Sequence, residues 1–136
     1  MQTLTINASK TPGGYSASCD IIPGWVVGYE GDFDGFDQYV RESIDFYVEC
    51  CIEDGTEYPA VLADKDAQIH YKFDVQSLLN HYQNIFSLAA LQYITGINQR
   101  QLWHYAAGRS KPRRNQAEKI VNALNRLGKE LIMLSV

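Results

Sequence analysis

The sequence predicts an α+β protein with two modules, a β-β-β-α-β module over residues 1–74 and a helical module over residues 75–136. The spacing of apolar residues is the first observation behind this prediction. In the segment that ends at Tyr29 apolar residues recur at every second position, and in the segment that begins at Asp32 they recur at every third or fourth position. Charge is the second. Residues 1–84 hold four basic and fourteen acidic residues, a net charge of −10, whereas residues 85–136 hold eight basic and two acidic residues, a net charge of +6. This asymmetry indicates modules with partners of opposite charge.

Composition argues against several protein classes. The hydrophobic content of 46% supports a packed core. No apolar run approaches the roughly 20 residues of a membrane helix, and the first ten residues lack the basic and apolar regions of a signal peptide. We therefore expect a cytoplasmic protein with no membrane partner. The cysteines Cys19, Cys50 and Cys51 do not have the spacing of a disulfide or zinc framework, so we expect no metal and no cofactor.

Four segments have the alternating or β-branched residues of strands, namely 3–8, 15–19, 25–29 and 68–73. Residues 11–14 contain Pro and two Gly residues, which supply the turn of a hairpin between the first two strands. Pro23-Gly24 marks the turn before the third strand. The fourth strand is separated from the others by a helix.

That helix is predicted between Asp32 and Gly55. Its apolar residues recur every three or four positions from Phe33 to Cys51, which is typical of one buried helix face. The opposite face is acidic. Residues 56–66 form a loop or a weak strand.

Two short helices are predicted at the start of the second module. Asp74 is expected to cap the first, whose apolar residues extend to Ile85. Ser87 caps the second, and Gly96 ends it.

Two more helices complete the chain. Asn98 caps the third helix of the module, with Gln101 at the capping-box position, and Gly108 closes it. The fourth helix follows Pro112 and ends at Gly128.

The last seven residues, ELIMLSV, are compatible with a helix or a strand. An unpaired apolar strand at a chain end would be prone to association. We therefore favour a C-terminal strand that pairs with a second copy, which would make the protein a homodimer or a higher oligomer.

A short helix, a tight glycine turn and a second short helix followed by basic residues are typical of a helix-turn-helix, whose second helix enters the major groove of DNA. That second helix spans residues 99–107, and Leu102 and Tyr105 point inward. The side chains left on its outer face are Gln99, Arg100, Trp103 and His104. Glutamine pairs with adenine and arginine with guanine. The cations expected to contact phosphates are Arg109, Lys111, Arg113 and Arg114.

The segment GINQRQLWHYAAGRSKPR resembles the helix-turn-helix of XRE-type phage repressors. The shared features are the small turn residue, the polar cap, the glutamine at the helix start and the Gly-basic-basic-Pro exit. The resemblance implies base contacts from Gln99, Arg100 and His104, with Gln101 at a base or at the DNA backbone.

The segment from Gly13 to Glu49 resembles the HicB antitoxin family, through its Gly-Tyr-Ser-Ala strand, its Pro-Gly turn and its acidic helix. The resemblance implies a partial ribonuclease-H-like module that binds a small basic toxin, a HicA-like ribonuclease that cleaves messenger RNA, and a second domain that represses the operon. An acidic module is attracted to a cationic RNA-binding surface. The acids that we expect to contact the toxin are Asp34, Glu42, Asp45 and Glu49.

Two alternatives stay open. The chain is a stand-alone XRE-type repressor whose first module senses a ligand or oligomerises, or it is a metal-dependent nuclease that uses clustered carboxylates. The acids in that cluster are Asp20, Glu30, Asp32, Asp34 and Asp37. We favour the antitoxin, which has no catalytic residues and is not an enzyme, because no two-metal spacing is present. His70 and His81 receive no role.

Overall fold

The computed structural model describes residues 2–136, which contain four strands, five α-helices and one 3₁₀ turn and divide into two units between Asp74 and Val75. The first unit contains β1 (Thr3–Thr11), β2 (Gly14–Ser18), β3 (Val26–Glu30), α1 (Phe33–Asp54), the turn Ala60–Ala63 and β4 (Gln68–Phe73). The second contains α2 (Val75–Tyr82), α3 (Leu88–Thr95), α4 (Gln99–Ala106) and α5 (Arg114–Ile132). The protein is therefore α+β. Within residues 2–136 no helix is both long and apolar enough to cross a bilayer.

The four strands form one mixed sheet in the order β3-β2-β1-β4. Strand β1 pairs antiparallel with β2, and β2 pairs antiparallel with β3, as the short turns between them require. Strand β4 is parallel to β1, with Thr3 opposite Gln68. A parallel pair needs a crossover connection, and α1 with the following turn provides it. The predicted β-β-β-α-β order is confirmed, and β3 and β4 are the edges of the sheet.

Helix α1 covers one face of the sheet. Its buried residues recur at intervals of three or four, so they form one stripe along the helix: Phe36, Val40, Ile44, Val48 and Cys51. They pack with the alternate buried residues of β1, which are Leu4, Ile6 and Ala8. The Tyr15 ring of β2 stacks on Phe36 with the ring centroids 4.9 Å apart.

Local chemistry sets both ends of α1. The Asp32 carboxylate accepts a hydrogen bond from the Gly35 backbone N–H at 2.9 Å, which satisfies one of the free donors of the first turn. Gly55 ends the helix with a φ of 69°, in the left-handed region where glycine is favoured. Both predicted ends are confirmed. Residues 56–66, predicted as a loop or a weak strand, contain no strand and include the 3₁₀ turn, whose Leu62 side chain is buried.

A polar contact ties α1 to the edge strand β4. The Tyr71 hydroxyl donates to the Asp37 carboxylate, which also pairs with Arg41 at 3.1 Å. Desolvation and this hydrogen bond raise the pKa of Tyr71 well above its usual value, so the phenol remains a donor.

The second unit packs four helices around its own apolar core. The buried residues of that core are Leu79, Leu91, Ile97, Leu102, Tyr105 and Ile120. The prediction for α2 extended too far, because the helix ends at Tyr82 and Ile85 lies outside it, 69% exposed. An apolar residue near the end of a periodic stripe need not belong to the helix.

The prediction for the C-terminal segment was wrong in two respects. Helix α5 continues through Gly128 to Ile132, and residues 130–136 contain no strand. A glycine inside a helix costs only about 1 kcal/mol, and Lys129, Glu130 and Leu131 are good helix formers that continue it. Leu131 is 54% exposed and Ile132 is 85% exposed, so the end of α5 extends beyond the core of the unit.

Candidate nucleic-acid interface and acidic helix face

In the second unit, hydrogen bonds fix the turn between α3 and α4. Gly96 has a φ of 74°, and its N–H donates to the Gln92 carbonyl, which ends α3. Thr95 is buried, and its hydroxyl donates to the Leu91 carbonyl at 2.6 Å and accepts from the Ile97 N–H at 3.1 Å. These bonds define the direction in which the chain leaves α3.

The N-terminus of α4 is capped from two sides. The Asn98 side chain accepts from the Arg100 N–H at 2.8 Å, which confirms the predicted cap. The Gln92 side chain, one turn before the end of α3, accepts from the Gln99 N–H at 2.7 Å. The sequence analysis did not identify Gln92, because nothing in the spacing links it to α4. The second cap fixes the start of α4 relative to α3.

The outer face of α4 carries the side chains predicted for it. Leu102 and Tyr105 are buried against the other helices, while Gln99 and Arg100 are exposed. Trp103 is 43% exposed, and His104 is half-buried. The outer face therefore presents amide, guanidinium, indole and imidazole groups in one strip.

Gln101 lies at the margin of this strip. Its side chain is half-buried, and its amide Nε2 donates to the Ser110 hydroxyl at 3.2 Å. The amide therefore binds the loop after α4 and does not form the predicted capping box with Asn98. This bond holds the loop against the helix.

The predicted phosphate-contacting cations differ in their surroundings. The Arg109 guanidinium lies over the Trp103 ring, 4.8 Å from its centroid, and this cation–π contact places it beside the outer face of α4. Arg114 forms an ion pair with Glu118 at 3.0 Å, with its side chain 93% exposed. Lys111 and Arg113 are also exposed. The sequence analysis did not predict the Trp103 and Arg109 contact, since the two residues share no helical period.

In the first unit, α1 presents the four predicted acids on one side. At 100° per residue, Asp34, Asp45, Glu49 and Glu42 fall within an arc of about 80°, and all four are exposed. Asp45 lies 3.4 Å from the Lys65 ammonium group, in an exposed ion pair of small energetic value. Glu42 accepts from the Gln38 amide at 3.1 Å. The arc is opposite the buried stripe of α1.

The carboxylates considered for a nuclease have other partners. Asp20 accepts from the Asn7 amide at 2.9 Å, Asp32 caps α1, and Asp37 binds Tyr71 and Arg41. In residues 2–136 no three His, Cys, Asp or Glu side chains are arranged to hold a metal ion.

The cysteines and histidines occupy varied positions. Cys19 and Cys51 are buried and Cys50 is half-buried, all as free thiols. Desolvation, followed by the charges of Glu53 and Asp54, raises the pKa of Cys50, which keeps this thiol protonated and weakly nucleophilic. His70 is exposed on β4, and the His81 ring packs on Tyr82.

No protein-family model matches the chain, and neither does any curated protein or any solved structure. The roles proposed for its residues therefore rest on their chemistry, burial and exposure.

One glycine substitution tests the turn between α3 and α4, and a second, at a glycine inside α5, serves as its comparison. Gly96→Ala places a Cβ in a left-handed conformation, so we expect it to lower the free energy of unfolding by about 1 kcal/mol or more. In Gly128→Ala the new Cβ has no heavy atom within 4 Å and lies inside a helix, so we expect a gain of up to about 1 kcal/mol. Urea unfolding followed by Trp103 fluorescence in a Trp25→Phe background measures both. Changes of the same sign would contradict the left-handed end of α3.

Proposed function

We propose that this protein is the antitoxin of a type II toxin–antitoxin system. In this proposal residues 1–74 bind and neutralise a small basic ribonuclease that cleaves messenger RNA, and residues 75–136 repress the operon by sequence-specific DNA binding. The protein acts by binding and is not itself an enzyme. The observation that carries the proposal is that the acidic and the basic residues are divided between the two structural units. The first unit holds fourteen acidic and four basic residues, and the second holds eight basic and two acidic residues.

The α3–α4 pair supports the DNA-binding part. Two helices of eight residues each, joined by three residues that include a glycine, have the dimensions of a helix-turn-helix. In that motif the N-terminal residues of the second helix contact base edges. Here those residues are Gln99 and Arg100, both exposed and both suited to purine recognition. Arg109, held by the Trp103 ring, is well placed to bind a phosphate next to them.

One arginine substitution and one lysine substitution distinguish the recognition of bases from the binding of phosphates. Arg100→Ala should reduce discrimination at one base pair by about 1 to 3 kcal/mol, because a bidentate contact to guanine is lost. Lys111→Ala should weaken binding to all sequences and reduce the salt slope by about one, because one phosphate contact is lost. Electrophoretic mobility shifts on DNA from the region upstream of the gene, at several salt concentrations, measure both effects.

Arg126→Ala is the matched control, since it removes the same charge from an exposed position on α5. It should change neither base discrimination nor the salt slope by a comparable amount. Equal losses on every sequence from Arg100→Ala and Lys111→Ala would show that α4 does not read bases.

The first unit supports the toxin-binding part. Its sheet order, with β1 parallel to β4 and a helix on one face, is consistent with a partial ribonuclease-H-like module. The exposed acids of α1 give that face negative potential. Such a face attracts a protein whose own surface binds RNA, and it competes with RNA for that surface.

Neutralising Asp34, Glu42, Asp45 and Glu49 together as amides should weaken binding of the basic ribonuclease. We expect at least a tenfold loss, about 1.4 kcal/mol, and a shallower salt dependence. The control neutralises four exposed acids outside α1, namely Asp20, Glu30, Glu57 and Asp66, which changes the net charge equally. Calorimetry with a small basic ribonuclease that co-purifies with the chain from its native cells measures both variants. Similar effects from the two sets would show that net charge matters and the α1 face does not.

The stand-alone repressor is the alternative, and the same DNA-binding residues favour it. It differs only in the role of the first unit. Affinity purification of the chain from its native cells separates the two proposals. A small basic protein with ribonuclease activity, recovered in stoichiometric amount and inhibited by the chain, supports the antitoxin. Its absence supports the stand-alone repressor.

We also propose that the protein binds DNA as a homodimer or a higher oligomer. A single short α4 reads few bases, and dimers of this motif read half-sites about 34 to 36 Å apart. The apolar residues at the end of α5 and just after it fit this role, because they are exposed on the folded unit. Leu131 and Ile132 end the helix and Leu134 follows it, and they are 54%, 85% and 66% exposed.

Replacing Leu131 and Leu134 by serine should therefore convert the protein to a monomer and weaken operator binding. The control replaces Lys129 and Glu130, which are polar neighbours in the same segment. Light scattering measures the mass of both variants. An unchanged mass for the leucine variant would place the interface elsewhere.

A further inference from the structure

The first unit contains an apolar groove next to its acidic face. The groove has a volume of about 410 Å³ and lies between α1 and the segment that leads into β3. Its lining residues are Trp25, Val27, Glu42, Ser43, Phe46, Tyr47 and Cys50. Because β3 is an edge of the sheet, no further strand in residues 2–136 covers that side.

Phe46 is the unusual residue of this groove. It is 66% exposed on a helix that carries seven acidic residues and one basic residue. Glu42 and Glu49 lie one turn before and after it on the same side of α1. Burying a phenylalanine side chain stabilises a folded protein, and the first unit gains little of this stabilisation at Phe46. An exposed aromatic residue in an apolar groove is typical of a binding surface.

The charge around the groove selects the kind of occupant. The first unit of a second copy would bring another net charge of −10 against this one, and the two acidic faces would repel each other. A basic protein would be attracted by Glu42 and Glu49, and an apolar side chain on its surface would fill the space beside Phe46. In such interfaces the charges accelerate association, while a few well-packed buried residues supply most of the affinity.

We propose that this groove binds one apolar side chain of a basic partner protein, with flanking arginine or lysine residues paired to Glu42 and Glu49. The inference rests on the proposed function, because it specifies how the first unit holds the cationic ribonuclease. Phe46, Trp25 and Val27 are then the anchor site, and the acids of α1 orient the partner around it.

Peptide titrations on the full chain test this proposal. The probe is a short synthetic peptide with one leucine flanked by arginines, and the reporter is the fluorescence of Trp25, the only tryptophan left in a Trp103→Phe background. We expect the peptide to change Trp25 emission. Phe46→Ala should raise the dissociation constant about tenfold, and replacing the leucine of the peptide by serine should do the same.

Ile52→Ala is the matched control, since Ile52 is also an apolar residue of α1 and is 63% exposed, but it does not line the groove. It should leave the affinity unchanged. Circular dichroism and urea unfolding verify that Phe46→Ala folds as the unmodified protein does. Should it not fold, Glu42→Gln with Glu49→Gln gives an independent test, because this variant should weaken binding and flatten its salt dependence.

Three results would overturn the proposal. The first is equal affinity of the leucine and serine peptides, which means that charge alone binds them. The second is unchanged affinity in Phe46→Ala. The third is self-association of the unmodified protein that Phe46→Ala abolishes, which assigns the groove to a second copy. Failure of the proposed function looks different: the peptide binds at Phe46, yet the chain inhibits no ribonuclease.

Discussion

The packing of α1 on the sheet determines which side chains the first unit exposes on its helical face. Four apolar residues, Phe36, Val40, Ile44 and Val48, are separated by four positions each, so only one side of the helix can face the strands. That contact also fixes which residues point away from the sheet. The acidic arc and the exposed ring of Phe46 are therefore consequences of the same periodicity, since a different rotation of the helix would bury carboxylates without partners.

The second unit depends on polar contacts in a comparable way. Its apolar core holds the helices together, but apolar contacts alone do not define a direction. The side chains of Gln92, Thr95 and Asn98 satisfy backbone donors at the turn, and each bond weakens outside a limited range of distance and angle. The orientation of α4 against α3, on which any reading of base edges depends, is set by these three residues.

Features encoded by neighbouring residues could be predicted from the sequence. The caps at Ser87 and Asn98, the glycine ends of α1 and α3 and the alternation in the strands all depend on local chemistry, and the structure contains them. The end of α5 could not be predicted, because Gly128 is tolerated inside a helix when good helix formers follow it.

Contacts between residues that do not belong to the same helical or strand repeat could not be predicted from the sequence either. Gln92 caps a helix to which it does not belong, and Arg109 meets Trp103 across a helix end. The groove at Phe46 depends on β3 being the edge of the sheet. That position follows from the pairing of distant strands, which the pattern of one segment does not encode.

The open edges of the sheet have a consequence for the solubility of the first unit. Exposed strand edges can pair with identical edges on other molecules and start aggregation. Strand β4 carries Lys72 and His70 on its exposed side, and β3 ends at Glu30. Charged side chains disfavour the continuous addition of strands from other copies. We therefore expect these edges to limit the association of first units through their sheets.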